Sequence, residues 1–272
     1  MPGKPTDRGA FFWGLILLAG ANGLGGSVLA SINRSGLNEA LLNSFDVSAI
    51  VWISCIAGIV LVRFDENQRP VSKSDLGLAA ACLALILLPI GAPSWLAMTI
   101  LSGWLLFKGD LSASQKKGAI ILLATTVPML WSRFFFQLFA KPILDLDATF
   151  VSWLLGTPRT GNMVQFLHGS GYLVIFPACS SLANMSLALL CWVTFVQLLD
   201  HKWSRVDFIW SALACVGVMT VNVARMSMMA ISLDYFTAIH SSVGEVAANI
   251  VFLAIIVGVC SIGVRHELFT RV

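Results

Sequence analysis

The sequence predicts an all-α polytopic integral membrane protein with about eight transmembrane helices and an extra amphipathic helix at the outer interface. Of its 272 residues, 57% are hydrophobic and 11% are charged, and the mean hydropathy is +0.85. Soluble domains average about 45–50% apolar and about 25% charged residues. Only a bilayer can solvate so much apolar surface, and the apolar residues recur in long runs separated by polar segments.

The first predicted span covers residues 10–30. We interpret it as a retained span rather than a signal peptide, because no small-residue cleavage site ends it. A polar connection, residues 31–44, leads to the second span, residues 45–62. Four glycines in the first span predict close approach of a neighbouring helix: Gly20, Gly23, Gly25 and Gly26.

Two short spans, residues 76–91 and 93–107, follow a charged loop at residues 63–75 and are joined by a turn at Pro89–Pro93. Each span is near the lower length limit for crossing a bilayer, so the pair is alternatively a re-entrant hairpin. The fifth span covers residues 118–140, where Pro128 predicts a kink. The last three spans cover residues 179–199, 206–232 and 246–264.

Residues 141–178 form a long outer loop of mixed polarity. Apolar residues from Ile143 to Leu155 recur at helical spacing, which predicts an amphipathic helix in the interface. We expect Asp145 and Asp147 to solvate this helix rather than bind a metal. Glycines then predict a loop, and Tyr172–Phe176 a short β-like run.

The distribution of lysine and arginine predicts the orientation, because cytoplasmic loops of membrane proteins are enriched in both. With a cytoplasmic N-terminus, only Arg34, Lys141 and Arg159 lie outside, and both termini lie inside. We therefore predict one transmembrane domain, residues 1–272, with a catalytic part at about 118–264. The predicted cytoplasmic set is Lys4, Arg8, Arg63, Arg69, Lys73, Lys108, Lys116, Lys117, Lys202, Arg205, Arg265 and Arg271.

This topology carries a thiol, an imidazole and two guanidinium groups to the outer interface. Cys179 starts the sixth span, Arg225 and Arg133 lie in the outer halves of two other spans, and His240 lies in the outer loop 233–245. A helix N-terminus and a nearby cation favour the reactive thiolate. A histidine can protonate a leaving amine, and an arginine can hold an oxyanion. These are the parts of a cysteine acyl-transfer site.

Other interpretations of these residues stay open. Cys179 by itself is typical of a small apolar residue in a membrane helix, and either arginine can extend to the membrane surface. His168 is an alternative proton carrier, and Asp234 or Glu245 could orient His240. His201 and His266 are predicted to be cytoplasmic, and the apolar runs predict packing roles for the other cysteines: Cys55, Cys82, Cys191, Cys215 and Cys260. The sequence contains no metal-ligand, phosphate-binding or nucleic-acid-binding motif, so we expect no cofactor.

Three short blocks resemble the signature blocks of the exosortase/archaeosortase family. They are Ala178-Cys179-Ser180-Ser181-Leu182, Asn222-Val223-Ala224-Arg225 and His240-Ser241-Ser242-Val243-Gly244. The resemblance implies a polytopic cysteine protease or transpeptidase with Cys179 as nucleophile, Arg225 as catalytic arginine and His240 as general acid/base. It departs from the family at Ser181, where a glycine usually follows Cys-Ser.

The same resemblance implies substrates that are exported proteins with a C-terminal sorting signal. Such a signal comprises a short motif such as Pro-Glu-Pro, a transmembrane helix and a basic cluster. We expect Arg133, Asn222 and Ser180 to contact this substrate at the outer face of a prokaryotic inner membrane. The alternative is a non-enzymatic transporter or envelope-assembly scaffold in which Arg133 and Arg225 bind anions or serve structure.

Overall fold

The computed structural model describes residues 7–63, 70–109 and 111–265. The predicted cytoplasmic residues Lys4, Arg69, His266 and Arg271 lie outside these ranges, as does part of the charged loop at 63–75. The predicted single domain contains two compact units. The N-terminal unit ends at Trp131 and the C-terminal unit begins at Ser132.

The N-terminal unit is helical in its described residues. Its helices are α1 (Arg8–Leu42), α2 (Ala49–Arg63), α3 (Lys73–Ile86), α4 (Gly91–Lys108) and α5 (Ala113–Thr126). Helix α1 begins where Asp7 accepts hydrogen bonds from the backbone of Gly9 and Ala10, and Ser72 and Ser112 begin α3 and α5 with capping boxes. A π-helical turn follows α5 at Val127–Trp131, so the predicted kink at Pro128 is a local change of helix type.

The polar connection predicted at residues 31–44 is wrong over most of its length, because α1 continues to Leu42. Its backbone leaves helical geometry at Gly36, where φ is +81°. The polar side chains Arg34 and Glu39, one on each side of this break, are exposed and are carried by helical backbone. A run of polar residues does not by itself end a helix. In this segment the polar residues indicate only that the surface of α1 is exposed to a polar environment.

Glycines permit two close helix contacts in this unit. A Cβ atom on Gly118 would lie 2.7 Å from the Gly58 carbonyl oxygen, so α2 and α5 meet backbone to backbone. In α1, Gly23 faces Trp95, whose indole N–H donates to the Gly23 carbonyl at 3.2 Å. Gly20 is in ordinary contact distance of Met98. The predicted close approach is confirmed at Gly23, whereas a Cβ atom would fit at Gly20, and Gly25 and Gly26 face open space.

A polar side chain holds the turn between α3 and α4. The Asn22 amide of α1 donates to the carbonyls of Ile86 at 2.7 Å and Leu88 at 3.1 Å, and to the Ser94 hydroxyl at 2.8 Å. The carbonyls left free at the end of α3 are therefore satisfied inside the protein. The side chains at the tip of the turn are apolar and exposed: Leu87, Leu88 and Ile90.

The C-terminal unit combines helices with a small sheet. Helix α6 (Ser132–Leu155) leads into three antiparallel strands, β1 (Arg159–Thr160), β2 (Met163–Gln165) and β3 (Tyr172–Val174), paired in that order. A short 3₁₀ turn (Pro177–Cys179) precedes α7 (Ser181–Leu198), α8 (Arg205–Met229), α9 (Leu233–Ile239) and α10 (Ser242–Gly263). The predicted β-like run is β3, but the loop predicted before it contains two further strands, too short for their periodicity to be read.

The predicted amphipathic helix is the second half of α6, beyond a break in helical geometry at Phe139. Leu144, Ala148 and Val151 of this helix are covered by protein, whereas Leu146 and Leu154 of the same apolar pattern are exposed. We call the buried residues that meet there the α6–sheet cluster; it comprises Leu144, Ala148, Val151, Val164, Leu173, Ile175, Met226, Met229 and Ala230. The cluster joins α6, strands β2 and β3, and the end of α8.

Among the described residues, five helical segments are long and apolar enough to cross a membrane. They coincide with the predicted first, fifth, sixth, seventh and eighth spans: Arg8–Leu42, Ala113–Leu155, Ser181–Leu198, Arg205–Met229 and Val243–Gly263. Helix α2 is apolar but shorter. The chain is therefore a predominantly helical protein with segments suited to a membrane, which confirms the broad fold class.

Candidate active site

Cys179 ends the 3₁₀ turn that precedes α7. Its backbone N–H donates to the Phe176 carbonyl at 2.9 Å, and Ser180 caps the helix by accepting from the Leu182 N–H at 3.3 Å. The sequence placed the start of the span at Cys179, but the helix begins at Ser181. Pro177 favours a tight turn, and Ser180 is the better N-cap, so the thiol lies on the residue before the cap, two residues before the helix.

Cys179 differs from the other cysteines in exposure. It is half-buried and packs against the α6–sheet cluster, whereas Cys55, Cys82, Cys191, Cys215 and Cys260 are buried. All six are free thiols. The prediction of packing roles for these five agrees with their burial. A water-soluble reagent can therefore be expected to reach Cys179 first.

Asn222 of α8 ties the Cys179 turn to the helix that carries Arg225. Its side chain is 1% exposed, and its amide nitrogen donates to the Cys179 carbonyl at 2.7 Å and to the Ser181 hydroxyl at 3.1 Å. Its amide oxygen is buried with no hydrogen-bond partner in the described part of the chain. The serine that departs from the family pattern is thus a member of this network.

Arg225 lies three residues after Asn222, so both side chains lie on the same side of α8. The residue is half-buried, and its Nε is buried without a hydrogen-bond partner among residues 7–63, 70–109 and 111–265. A buried donor without a partner costs about 1–3 kcal/mol, and more when the group is charged. Such a guanidinium is suited to an acceptor that arrives with a ligand.

His240 follows α9 and is 46% exposed. Its ring stacks on Phe236 with the centroids 5.2 Å apart, and its Nδ1 lies 3.9 Å from Glu245 Oε1. Phe236 packs against the α6–sheet cluster, as Cys179 does. Within the described ranges, no hydrogen bond or ion pair joins His240 to Cys179 or Arg225. Of the three residues, Cys179 packs against the cluster itself, and His240 reaches it through the stacked Phe236 ring.

The alternative histidine, His168, is exposed, and its backbone N–H donates to the Ile231 carbonyl at 2.8 Å. This bond attaches the β2–β3 loop to the end of α8. His201 has a different role, because its Nε2 lies 2.8 Å from Asp207 at the start of α8. Asp207 also accepts from the backbone of Ser204 in a capping box. His201 thus belongs to the beginning of α8, at the opposite end from Arg225.

Arg133 and Ser180 line one cleft of about 510 Å³ between α6 and the start of α7. Arg133 is exposed there, whereas Ser180 is 2% exposed. The other lining residues are predominantly apolar: Ser132, Phe136, Gln137, Ala140, Pro177, Leu182 and Ala183. The cleft opens beside the Cys179 turn, since Pro177 and Ser180 both border it.

Asp147 is the site residue that the sequence did not identify. The expectation that it solvates α6 is wrong, because its side chain is 3% exposed and its Oδ2 accepts the Ser181 N–H at 3.1 Å. Asp145 does lie at the surface, where it pairs with Lys141 at 2.9 Å. Asp145 and Asp147 both occupy polar positions in the same helical pattern of the sequence. They differ in their partners, because only Asp147 binds the buried N–H of Ser181.

Comparison of the chain with protein families, with curated proteins and with solved structures gives no match. Within the described residues, no group of three histidine, cysteine or acidic side chains is placed to hold a metal. The candidate site therefore rests on its own geometry. It consists of a half-buried thiol, an amide that holds its turn and a guanidinium with an open donor. In the part of the chain that the structure describes, the exposed His240 imidazole is linked to them only through Phe236, which packs against the α6–sheet cluster as Cys179 does.

Proposed function

We propose that this protein is an integral-membrane cysteine peptidase or transpeptidase of the exosortase type. The observation that carries the proposal is the hydrogen bond from Asn222 to the Cys179 carbonyl. It fixes the thiol-bearing turn against α8, one helical turn from a guanidinium whose Nε has no partner in the described residues. An acyl-transfer site needs a nucleophile and an oxyanion donor held in this relation.

In the proposed reaction, His240 takes the thiol proton, and the Cys179 sulfur attacks the carbonyl carbon of the scissile peptide bond. The S–C bond forms while an electron pair moves to the carbonyl oxygen, where Arg225 donates to the developing charge. The C–N bond then breaks, and the departing amine takes the proton from His240. A thioester on Cys179 remains.

The thioester is resolved by water or by an amine acceptor. The incoming nucleophile gives its proton to His240 as its bond to carbon forms, the C–S bond breaks, and the Cys179 thiol regains a proton. With water the product is a free carboxylic acid, and with an amine it is a new amide. The two outcomes define a peptidase and a transpeptidase that use the same residues.

The substrate class is an exported protein with a C-terminal motif, a transmembrane helix and a basic cluster. Its helix would lie in the same bilayer as α6 to α10, which presents the motif at the Cys179 turn. The open amide oxygen of Asn222 is suited to accept a substrate backbone N–H, and the cleft beside Ser180 offers Arg133 as a second contact. The basic cluster would remain on the cytoplasmic side with both termini of this chain.

The membrane orientation belongs to the same proposal. Eight spans with the active site at the outer face of a prokaryotic inner membrane follow from the distribution of lysine and arginine. Contacts in the N-terminal unit support it: Arg8 before the first span, Asp75 before the third and Lys108 after the fourth lie together. All three are on the side predicted to be cytoplasmic.

The decisive experiment replaces Cys179 with Ala in cells that produce an exported protein of the same organism ending in such a tail. We expect release of the tail to fall by about 10³-fold or more, measured by immunoblot of the precursor and product. Cys191→Ala and Cys215→Ala are the matched controls, because both thiols are buried. These two variants should retain processing.

The alternative, a transporter or assembly scaffold, is supported by the same open guanidinium, since Arg225 could bind an anion without any chemistry. This alternative predicts that the Cys179→Ala variant, once it is inserted and folded, still supports the transport or envelope assembly that the wild type supports. Normal tail processing by that variant would end the enzyme proposal. A loss of processing in Cys191→Ala instead would assign the chemistry to another thiol.

A further inference from the structure

The proposed reaction uses no carboxylate, yet Asp147 is buried beside the residues that perform it. Its side chain is 3% exposed, and Asp side chains are almost never so buried without a partner. No ion pair to Asp147 occurs among the described residues. Its Oδ2 instead accepts the backbone N–H of Ser181, the first residue of α7, at 3.1 Å.

A continuous set of hydrogen bonds links Asp147 to the thiol-bearing turn. Asp147 binds the N–H of Ser181, the Ser181 hydroxyl accepts from the Asn222 amide, and that amide also binds the Cys179 carbonyl. The residue after Asp147, Ala148, belongs to the α6–sheet cluster against which Cys179 packs. The position of the turn therefore depends on α6 through Asp147 and on α8 through Asn222.

The charge of Asp147 acts at the same place. The first N–H groups of a helix create a positive potential that favours a thiolate nearby. A carboxylate bound to the Ser181 N–H opposes that potential, and its own negative charge disfavours a second one close by. The expected effect of the Asp147 carboxylate is to keep the thiol protonated to a higher pH than the bare helix end would.

Few other charges face Asp147. Of the elements packed against α6, α7 and β2 carry no charged residue, α8 presents Arg225 at this end, and β1 carries Arg159. The other charges of α8, Arg205 and Asp207, stand at its opposite end.

Two further pairs complete the surroundings. On α6 itself, Lys141 and Asp145 pair with each other at the surface. After α9, His240 stacks on Phe236, and its Nδ1 lies 3.9 Å from Glu245 Oε1. Removal of the Asp147 charge thus changes the potential at the turn without breaking an ion pair among the described residues.

We propose that Asp147 is a positioning residue whose carboxylate holds the Cys179 turn and sets the pH at which the thiol becomes reactive. The inference rests on the proposed function for its role in catalysis. Its test does not, because the reactivity of the thiol can be followed without a substrate.

The experiment measures the rate at which iodoacetamide alkylates the full-length protein in detergent as a function of pH. Cys179→Ala identifies the signal, which should vanish in that variant because the other thiols are buried. In Asp147→Asn, an amide oxygen can still accept the Ser181 N–H, but the charge is gone. We expect the midpoint of the pH profile to move to lower pH. For each pH unit by which the midpoint moves, the rate below the midpoint should rise about threefold, because the gain in thiolate outweighs its lower nucleophilicity.

Asp145→Asn is the matched control, since it removes the same charge two residues away at the surface, and its profile should coincide with that of the wild type. An Asp147→Asn profile that coincides with the wild type, or moves to higher pH, overturns the inference whatever the tail-processing result. If neither Asp147→Asn nor Asp147→Ser folds, the carboxylate serves folding and the positioning role is likewise rejected. Failure of the proposed function appears separately, as tail processing that does not need Cys179.

Discussion

Arg8 of the N-terminal unit is buried and Arg225 of the C-terminal unit is half-buried, and the two guanidinium groups differ in their hydrogen-bond partners. Arg8 of the N-terminal unit is saturated: its Nε donates to Asp75 Oδ2 at 2.9 Å, and its guanidinium lies 5.2 Å from the centre of the Phe12 ring. Arg225 of the C-terminal unit has a buried Nε without a partner in the described ranges. A satisfied buried charge is typical of structure, whereas an open one is typical of a site that awaits a ligand.

The carboxylate that saturates Arg8 is itself saturated. Asp75 also accepts from the Trp104 indole at 2.9 Å and from the Ser72 backbone at 3.1 Å, and Lys108 Nζ lies 3.8 Å away. None of the buried side-chain nitrogen or oxygen atoms of this cluster lacks a hydrogen-bond partner in the described residues. Near Arg225, by contrast, the Asn222 amide oxygen is also open. The comparison predicts that substitutions around Arg8 and Asp75 affect stability, and that substitutions around Arg225 and Asn222 affect activity.

The largest expected effect is that of Arg225→Gln on tail processing. If the guanidinium holds the oxyanion, its loss should lower the rate by about 10²–10³-fold. The thermal stability of the protein in detergent should stay the same or rise, because an unpaired charge has left the interior. Processing is followed by immunoblot and stability by a thermal-shift assay. A strongly destabilised variant would place Arg225 with Arg8 as a structural residue.

Arg8→Gln should have the converse effect. Removing one member of a buried ion pair leaves Asp75 uncompensated and destabilises a protein by about 3–5 kcal/mol. We expect a lower thermal midpoint and a lower yield of folded protein, with tail processing per folded molecule close to that of the wild type. Arg34→Gln is the control, since its pair with Asp46 is exposed and should contribute little. An unchanged thermal midpoint in Arg8→Gln would remove the distinction between the two arginines.

The smallest effect concerns pH. Burial alone would raise the pKa of the Asp75 carboxyl, but the hydrogen bonds from Trp104, Arg8 and Ser72 hold it well below its usual range. A lowered pKa contributes stability that is fully present above the unfolded value of about 3.9 and is lost as the pH falls through the folded value. The thermal midpoint of the wild type should therefore exceed that of Asp75→Asn at pH 5 to 8.

Below about pH 4, the two proteins should converge, because the unfolded carboxyl then binds a proton that the folded one still excludes. Thermal-shift curves of both proteins across this range supply the measurement. A difference that grows as the pH falls would contradict the assigned direction.

The sequence predicted the parts of the candidate site whose signal is local. An arginine inside an apolar run is conspicuous because insertion is costly, and Asn222 was identified as part of the block that contains Arg225. The predicted start of the span at Cys179 lies two residues before the first residue of α7, Ser181. The difference matters, because Ser180 rather than Cys179 caps α7.

The parts that the sequence could not predict depend on contacts between distant segments. Asp147 and Asp145 have the same local pattern, and only the approach of Ser181, 34 residues away, buries one and leaves the other at the surface. Strands β1 and β2 are two and three residues long, so no alternation is readable. The continuation of α1 through polar residues was missed for the related reason that polarity reports solvent, not backbone geometry.

The turn held by Asn22 has a consequence for the proposed side of the membrane on which Cys179 lies. Helix α3 has 14 residues, which at 1.5 Å per residue is about 21 Å, less than a hydrocarbon core of about 30 Å. Whether α3 and α4 cross the bilayer or turn back within it, together they contribute an even number of crossings. Every later helix keeps its direction in both cases. In the proposed topology, the side of the membrane on which Cys179 lies depends on whether the number of crossings before it is odd or even. It does not depend on how deep the α3–α4 hairpin reaches.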